Sequence, residues 1–207
     1  VPENLGNLRN NNSLMAFRLI KEKHPVNEEV KVSLPITLVG SGLFTGFIPI
    51  ASGTFASLLG LGIYLIPHVS EFYYLTLTIL LLFFAGVYCS EKMRGRYGED
   101  PAEIVIDEIV GQLFTYLVGS VVFELFFSFK SFDPETAFDM KLIYGVIGFL
   151  AFRFFDIVKL EPAKYFDKKD SGFAIMMDDI AAAMYAGIMS AVFTHLAWYQ
   201  FLRKYFG

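Results

Sequence analysis

Three acidic groups, Asp107-Glu108, Asp156 and Asp178-Asp179, stand at the ends of strongly apolar stretches. An ionised carboxylate in such surroundings is costly unless something shares its charge, so each group marks a candidate functional site. Five carboxylates gathered at one place repel one another unless a cation joins them. Hard oxygen donors with no cluster of histidines point to Mg²⁺ as that cation, and away from zinc or copper.

Other residues carry charge or hydrogen-bonding capacity at a spacing that places them near the acids. Arg153, Asp156 and Lys159 follow at i, i+3 and i+6, one face of a helix that Pro162 ends soon after. The glycine-rich stretch 40–54 opens a helix, where free backbone amides suit a phosphate; Gly53, Thr54 and Ser57 are its candidate substrate contacts. Asp100-Pro101-Ala102-Glu103 reads as an N-cap, a first-turn proline and a capping glutamate, which predicts that a helix starts there. On that helix Asp107, Glu108, Gly111 and Thr115 share a small, polar face. Asp178-Asp179 precede Ala181, Ala182, Ala183, Ala186 and Gly187, a small-residue helix start that lets neighbouring helices come close.

The elements that must hold these residues belong to a membrane protein. Hydrophobic residues make up 55% of the 207, and 23 are Phe, more apolar surface than a soluble domain of this length can bury. Residues 72–90, 109–128, 142–158 and 180–202 are each long and apolar enough to span as helices. The first apolar region, 34–66, is interrupted by Pro35, Gly40, Gly42, Gly46, Pro49 and Gly53, and reads as a re-entrant segment lining a site. The fold expected is an all-helical polytopic bundle: residues 1–33 are a polar cytoplasmic lead-in, with no apolar core for a signal peptide, and 34–207 form one membrane-embedded domain. Placing thirteen Lys and Arg on one side of the membrane and Lys130, Lys141, Arg203 and Lys204 on the other makes the richer side cytoplasmic. All three acidic groups and the glycine-rich loop then meet at the cytoplasmic boundary.

Blander readings exist for each motif. Asp107-Glu108 could be a solvated first turn, Asp178-Asp179 dipole-complementing acids at a helix start, and Arg153, Asp156 and Lys159 an interfacial ion-pair ladder. His24, His68 and His195 lie away from the acids, and the single Cys89 reads as a small buried hydrophobe, one residue too close to Arg94 for a thiol-phosphatase loop. A net charge of −4 argues against a nucleic-acid footprint.

The stretches GSGLFTGFIPIASGTFASLLG, DPAEIVIDEIVGQ and FRFFDIVKLEPAKYFDKKDSGFAIMMDDIAAAMYAG, about 70 residues together, resemble the three motif blocks of the phosphatidylglycerophosphatase A family in the family's order. The chain departs from the family in having Ser52 in place of a proline, Leu160 in place of another, and Ser171 in place of a glycine. The resemblance implies a Mg²⁺-dependent phosphatase of bacterial phospholipid synthesis that converts phosphatidylglycerophosphate to phosphatidylglycerol at the cytoplasmic face of the inner membrane. It makes Asp107, Glu108, Asp156, Asp178 and Asp179 the catalytic and metal positions, and Arg153, Lys159 and Thr54 the phosphate-side positions. Water attack assisted by the metal and attack by an Asp to form an aspartyl-phosphate both remain open. A reading of another class, a cation- or proton-coupled transporter, uses the same acids and the broken helix to bind its ion. It fits less well with acids gathered at one boundary than it would with acids at mid-membrane.

Overall fold

The computed structural model describes residues 26–99, 101–126 and 137–197, so most of the lead-in, the Asp100 cap position and the basic residues Lys130, Arg203 and Lys204 lie outside the described residues. Among the described residues the structure is helical and contains no strand. It comprises α1 (Leu34–Gly40), a 3₁₀ turn (Thr45–Phe47), α2 (Ser52–Leu65), α3 (Phe72–Tyr97), α4 (Ile106–Phe126), α5 (Ala137–Val158), α6 (Ala163–Phe166) and α7 (Gly172–Ala197).

α3, α4 and α7 are each long and apolar enough to cross a membrane. α5, which holds the span expected over 142–158, is not among them: its 22 residues include the charged Lys141, Arg153 and Asp156. The outer face of α3 exposes Phe72, Tyr73, Leu77, Leu81, Phe84 and Tyr88, side chains suited to lipid.

The interrupted first region resolves into two helices around a turn. Pro35 lies in the first turn of α1, where its missing N–H is no loss. The chain then reverses through Gly42, Leu43 and Phe44, all in the left-handed region with φ of 51°, 56° and 69°. The turn is enclosed by protein: the Val105 amide donates to the Gly40 carbonyl at 3.0 Å, and a side chain on Gly42 would stand 2.7 Å from Ile109 Cδ1. Irregular backbone at this depth is stable because other segments satisfy it. α2, with 14 residues, is about 21 Å long at 1.5 Å per residue, short of a full crossing.

Two expected helix starts move. Pro101, Ala102 and Glu103 do not open α4; they form a buried turn, with the Ile104 amide bonded to the Pro101 carbonyl at 3.1 Å, and α4 begins at Ile106. The reason is tertiary: this segment packs on the first-region turn, where Gly46 meets the Glu103 carbonyl and Ser52 Oγ donates to the Ala102 carbonyl at 3.4 Å. α7 begins at Gly172, several residues before Asp178, so Asp178-Asp179 are not first-turn acids and the dipole reading does not apply to them. Its end is capped from another helix, Glu91 Oε2 of α3 accepting the Gly172 amide at 2.6 Å.

The tightest pairing in the bundle is α4 on α7. Gly111, Gly119 and Gly187 make it possible. A Cβ on Gly111 would stand 3.0 Å from the Asp179 Cβ and 2.7 Å from the Phe152 ring, and one on Gly187 would stand 2.6 Å from Val118 and 2.8 Å from the Thr115 carbonyl. Ala181, Ala182, Ala183 and Ala186 continue the small, buried face of α7. A second seam is aromatic: Tyr64 of α2 stacks on Tyr116 of α4 at 4.1 Å, and the Tyr116 and Tyr144 hydroxyls donate to the Gly145 and Tyr116 carbonyls. Because the α4–α7 seam has no spare volume, Gly187→Val is expected to destabilise the protein by about 1–3 kcal/mol; thermal unfolding in detergent measures it against Val192→Ile, a change on the exposed side of α7.

Candidate active site

Four helix ends converge at one end of the bundle, as the sequence suggested, and the five acids divide there into two groups. Asp107, Glu108 and Asp179 are buried, 3–5% exposed, and each offers a carboxylate oxygen within 4.8 Å of the other two. Asp107 and Glu108 enter on the first turn of α4, and Asp179 arrives from α7 across the Gly111 contact. Glu108 Oε2 and Asp179 Oδ2 have no hydrogen-bond partner, although both are shielded from solvent. Orphaned carboxylate oxygens facing like charges are unstable unless a cation or protons fill the space between them. The donor set is all oxygen, which suits a hard divalent ion, so the residues present fit Mg²⁺.

Asp156 and Asp178 form the second group, and each is committed to a cation. Asp156 Oδ2 accepts from Arg153 Nη1 at 2.5 Å, one turn apart on α5, with both side chains less than one-fifth exposed. This part of the ion-pair ladder is present. Lys159 does not continue it. α5 ends at Val158, and Lys159 adopts a left-handed backbone with φ 48°, which turns its side chain off the helix line. Its Nζ donates to both Asp178 Oδ2 and Asp167 Oδ1. The two cations therefore form the rim of the acidic trio, each with a carboxylate that fixes its direction.

The glycine-rich stretch divides as well. Gly40, Gly42 and Gly46 serve close packing, Gly40 against Cys89 and Met93 and Gly46 against the Glu103 carbonyl. Gly53, in contrast, faces the acids: a Cβ there would stand 2.5 Å from Glu108 Oε1 and 3.0 Å from Arg153 Nη1. The backbone of the first turn of α2 thus touches both the buried trio and the rim cation. Thr54 is half-buried beside Gly53. Ser57 is buried and its hydroxyl donates to the Gly53 carbonyl at 2.9 Å, so it braces the turn instead of facing the acids.

Asp167 and Glu91 escaped the sequence reading. Both sit in charge-dense stretches that resemble solvated loops, and nothing in their linear spacing ties them to positions 8 and 81 residues away. Cys89 is buried and His68 pairs with Glu71 at 2.7 Å, consistent with their non-catalytic readings.

A membrane-type helical bundle with a buried trio of carboxylates, two oriented cations at its rim and a helix start against both has the charged groups that a phosphatase site needs. The family model described as phosphatidylglycerophosphatase A matches residues 38–194, and the chain belongs to that family. It is a phosphatase. A Haemophilus influenzae protein named phosphatidylglycerophosphatase A is 36% identical over 77% of this chain and 90% of its own length. One of the same name from Escherichia coli is 27% identical over 86% of the chain and 94% of its own length. A Bacteroides thetaiotaomicron protein bearing the name "Putative phosphatidylinositol-3-phosphatase" is 32% identical over 77% of the chain and 92% of its own length. No solved structure matches the chain.

Because Gly53 separates Glu108 from Arg153 by the absence of a side chain, Gly53→Ala is expected to lower kcat/KM by about a hundredfold while leaving the fold intact. Phosphate release, measured beside thermal unfolding of the same preparation, checks both halves.

Proposed function

We propose that this protein is a Mg²⁺-dependent phosphatase of phospholipid biosynthesis. It removes the terminal phosphate of phosphatidylglycerophosphate to leave phosphatidylglycerol, with its site open to the cytoplasm at the bacterial inner membrane. The observation that carries the proposal is the trio Asp107, Glu108 and Asp179, whose buried oxygens lie within 4.8 Å of one another beside Arg153. The transporter reading has no support of this kind, since the acids gather at one end of the bundle and the family is one of phosphatases.

Asp107, Glu108 and Asp179 would hold Mg²⁺. When bound, the ion supplies Lewis-acid polarisation of a phosphoryl oxygen and makes a bound water more acidic. The chain's own groups do the rest. Arg153, aimed by Asp156, and Lys159, held between Asp167 and Asp178, neutralise charge that develops on the equatorial phosphoryl oxygens. The phosphate would lie against the backbone of the first turn of α2 at Gly53, where the Thr54 amide is held by the Ala51 carbonyl and Ser57 holds the Gly53 carbonyl in place. Asp178 Oδ1, buried and without a hydrogen-bond partner, would take the proton from attacking water. The water oxygen bonds to phosphorus as the bond from phosphorus to the glycerol oxygen breaks, and the proton goes on to the leaving alkoxide. The acyl chains of the substrate would lie along the apolar outer faces of the helices.

Inorganic phosphate released by the detergent-purified protein is the direct assay, with phosphatidylglycerophosphate, phosphatidylinositol 3-phosphate and phosphatidic acid compared. The second lipid belongs in the set because one relative's name points to it. Release is expected only with Mg²⁺, selective for phosphatidylglycerophosphate, abolished by EDTA, and reduced by at least about a hundredfold in Asp179→Asn. Metal-independent release, or full activity in Asp179→Asn, would sink the assignment of the trio. The stereochemical course at an isotopically chiral phosphorus separates the two chemical routes: inversion fits direct attack by water, whereas net retention marks two successive displacements through an aspartyl-phosphate.

A further inference from the structure

Lys159 is the point at which α5 ends and a loop, 160–171, leaves the site and returns to it. Its left-handed backbone is unfavourable for a residue with a side chain and persists only where surrounding contacts determine it. Those contacts are visible. The Lys159 amide donates to the Phe155 carbonyl at 2.9 Å, the Tyr185 hydroxyl of α7 donates to the Glu161 carbonyl at 2.6 Å, and Ala163 is fully buried against α7. The loop is thus pinned so that Asp167, one turn beyond Ala163, comes back to the Lys159 ammonium.

The ammonium then has two carboxylate partners of unequal kind. Asp178 is 11% exposed and stands beside the buried trio; Asp167 is 34% exposed and stands towards solvent. An ammonium bridging two carboxylates is held by both, and an arriving phosphate competes with them for it. The better solvated carboxylate is the less costly to release, because water takes up its charge.

We propose that Asp167 is a positioning residue for the phosphatase reaction: it draws the Lys159 ammonium outward from Asp178 to the rim and yields its place there to the substrate phosphate. This inference rests on the reading of Lys159 as a phosphate-side group. Without Asp167 the ammonium is drawn inward towards Asp178 and the buried acids, and the phosphate meets a cation that is no longer aligned at the rim.

The test measures the Kd of inorganic phosphate by titration calorimetry on the purified protein with Mg²⁺ present, and KM and kcat for the lipid in parallel. Asp167→Asn is expected to raise the phosphate Kd and the lipid KM by about tenfold, the worth of one hydrogen bond to a charged group, with kcat changed much less. Asp167→Glu, which keeps the charge, is expected to restore both. In a Lys159→Met background the Asn substitution is expected to add nothing further, since its effect passes through the ammonium. Unchanged Kd and KM in Asp167→Asn, or equal losses in the wild-type and Lys159→Met backgrounds, would overturn the proposal. So would a fall in thermal stability and kcat with the phosphate Kd intact, or failure of Asp167→Glu to restore binding. If the wild type itself releases no phosphate from any of the lipids, the functional reading falls, and that result is distinct from all of these.

Discussion

Three carboxylates buried within one small volume are the constraint around which this bundle is arranged. Asp107, Glu108 and Asp179 repel one another, and their burial removes the water that would soften the repulsion. A cation or protons between them relieve the repulsion, and close packing holds the three groups in register; the α4–α7 seam provides that packing through glycines and alanines in place of larger side chains. Gly111 brings the Asp179 Cβ to within ordinary contact of the α4 backbone, and Gly119 and Gly187 repeat the approach further along. The electrostatic strain at one end is thereby carried by dispersion contacts along the length of the helices.

The remaining elements set the direction of charge around that centre. Glu91 caps α7 from α3 and so fixes how far Asp178 and Asp179 stand from the helix end. Asp156 pairs with Arg153 and Asp178 with Lys159, while Asp107, Glu108 and Asp179 bring their oxygens together at the centre. The broken first region lets α2 start beside Glu108 and Arg153, and a continuous span there would have put side chains where Gly53 now leaves room. A negative centre with a positive rim suits a ligand that is itself doubly anionic and shares a cation with the protein.

This division also bears on what a lipid phosphatase must do. Its reacting phosphate is water-loving and its acyl chains are not, so the chemistry belongs at the end of a bundle whose flanks remain in lipid. The exposed Phe and Tyr side chains of α3 and the buried acids of α4 and α7 meet that requirement in one small domain.

The sequence by itself determined the class of the fold and most of the centre. Apolar runs long enough to span, interrupted once by glycine and proline, require helices in lipid, because only helices and closed barrels satisfy their own backbone there. Ionised residues at the ends of such runs are too costly to be incidental, so all five acids, Arg153 and Lys159 were legible as candidates. Tertiary structure decided how they were used. Whether Pro101 opens a helix depends on the Gly46 and Ser52 contacts from a segment some fifty residues away, which local propensity cannot register. That Asp178 turns to Lys159 while Asp179 turns to Asp107 and Glu108 follows from which face of α7 the glycines press against α4. Asp167 gained its place because a loop returns on itself, and a returning loop leaves no period in the chain for a reader to find.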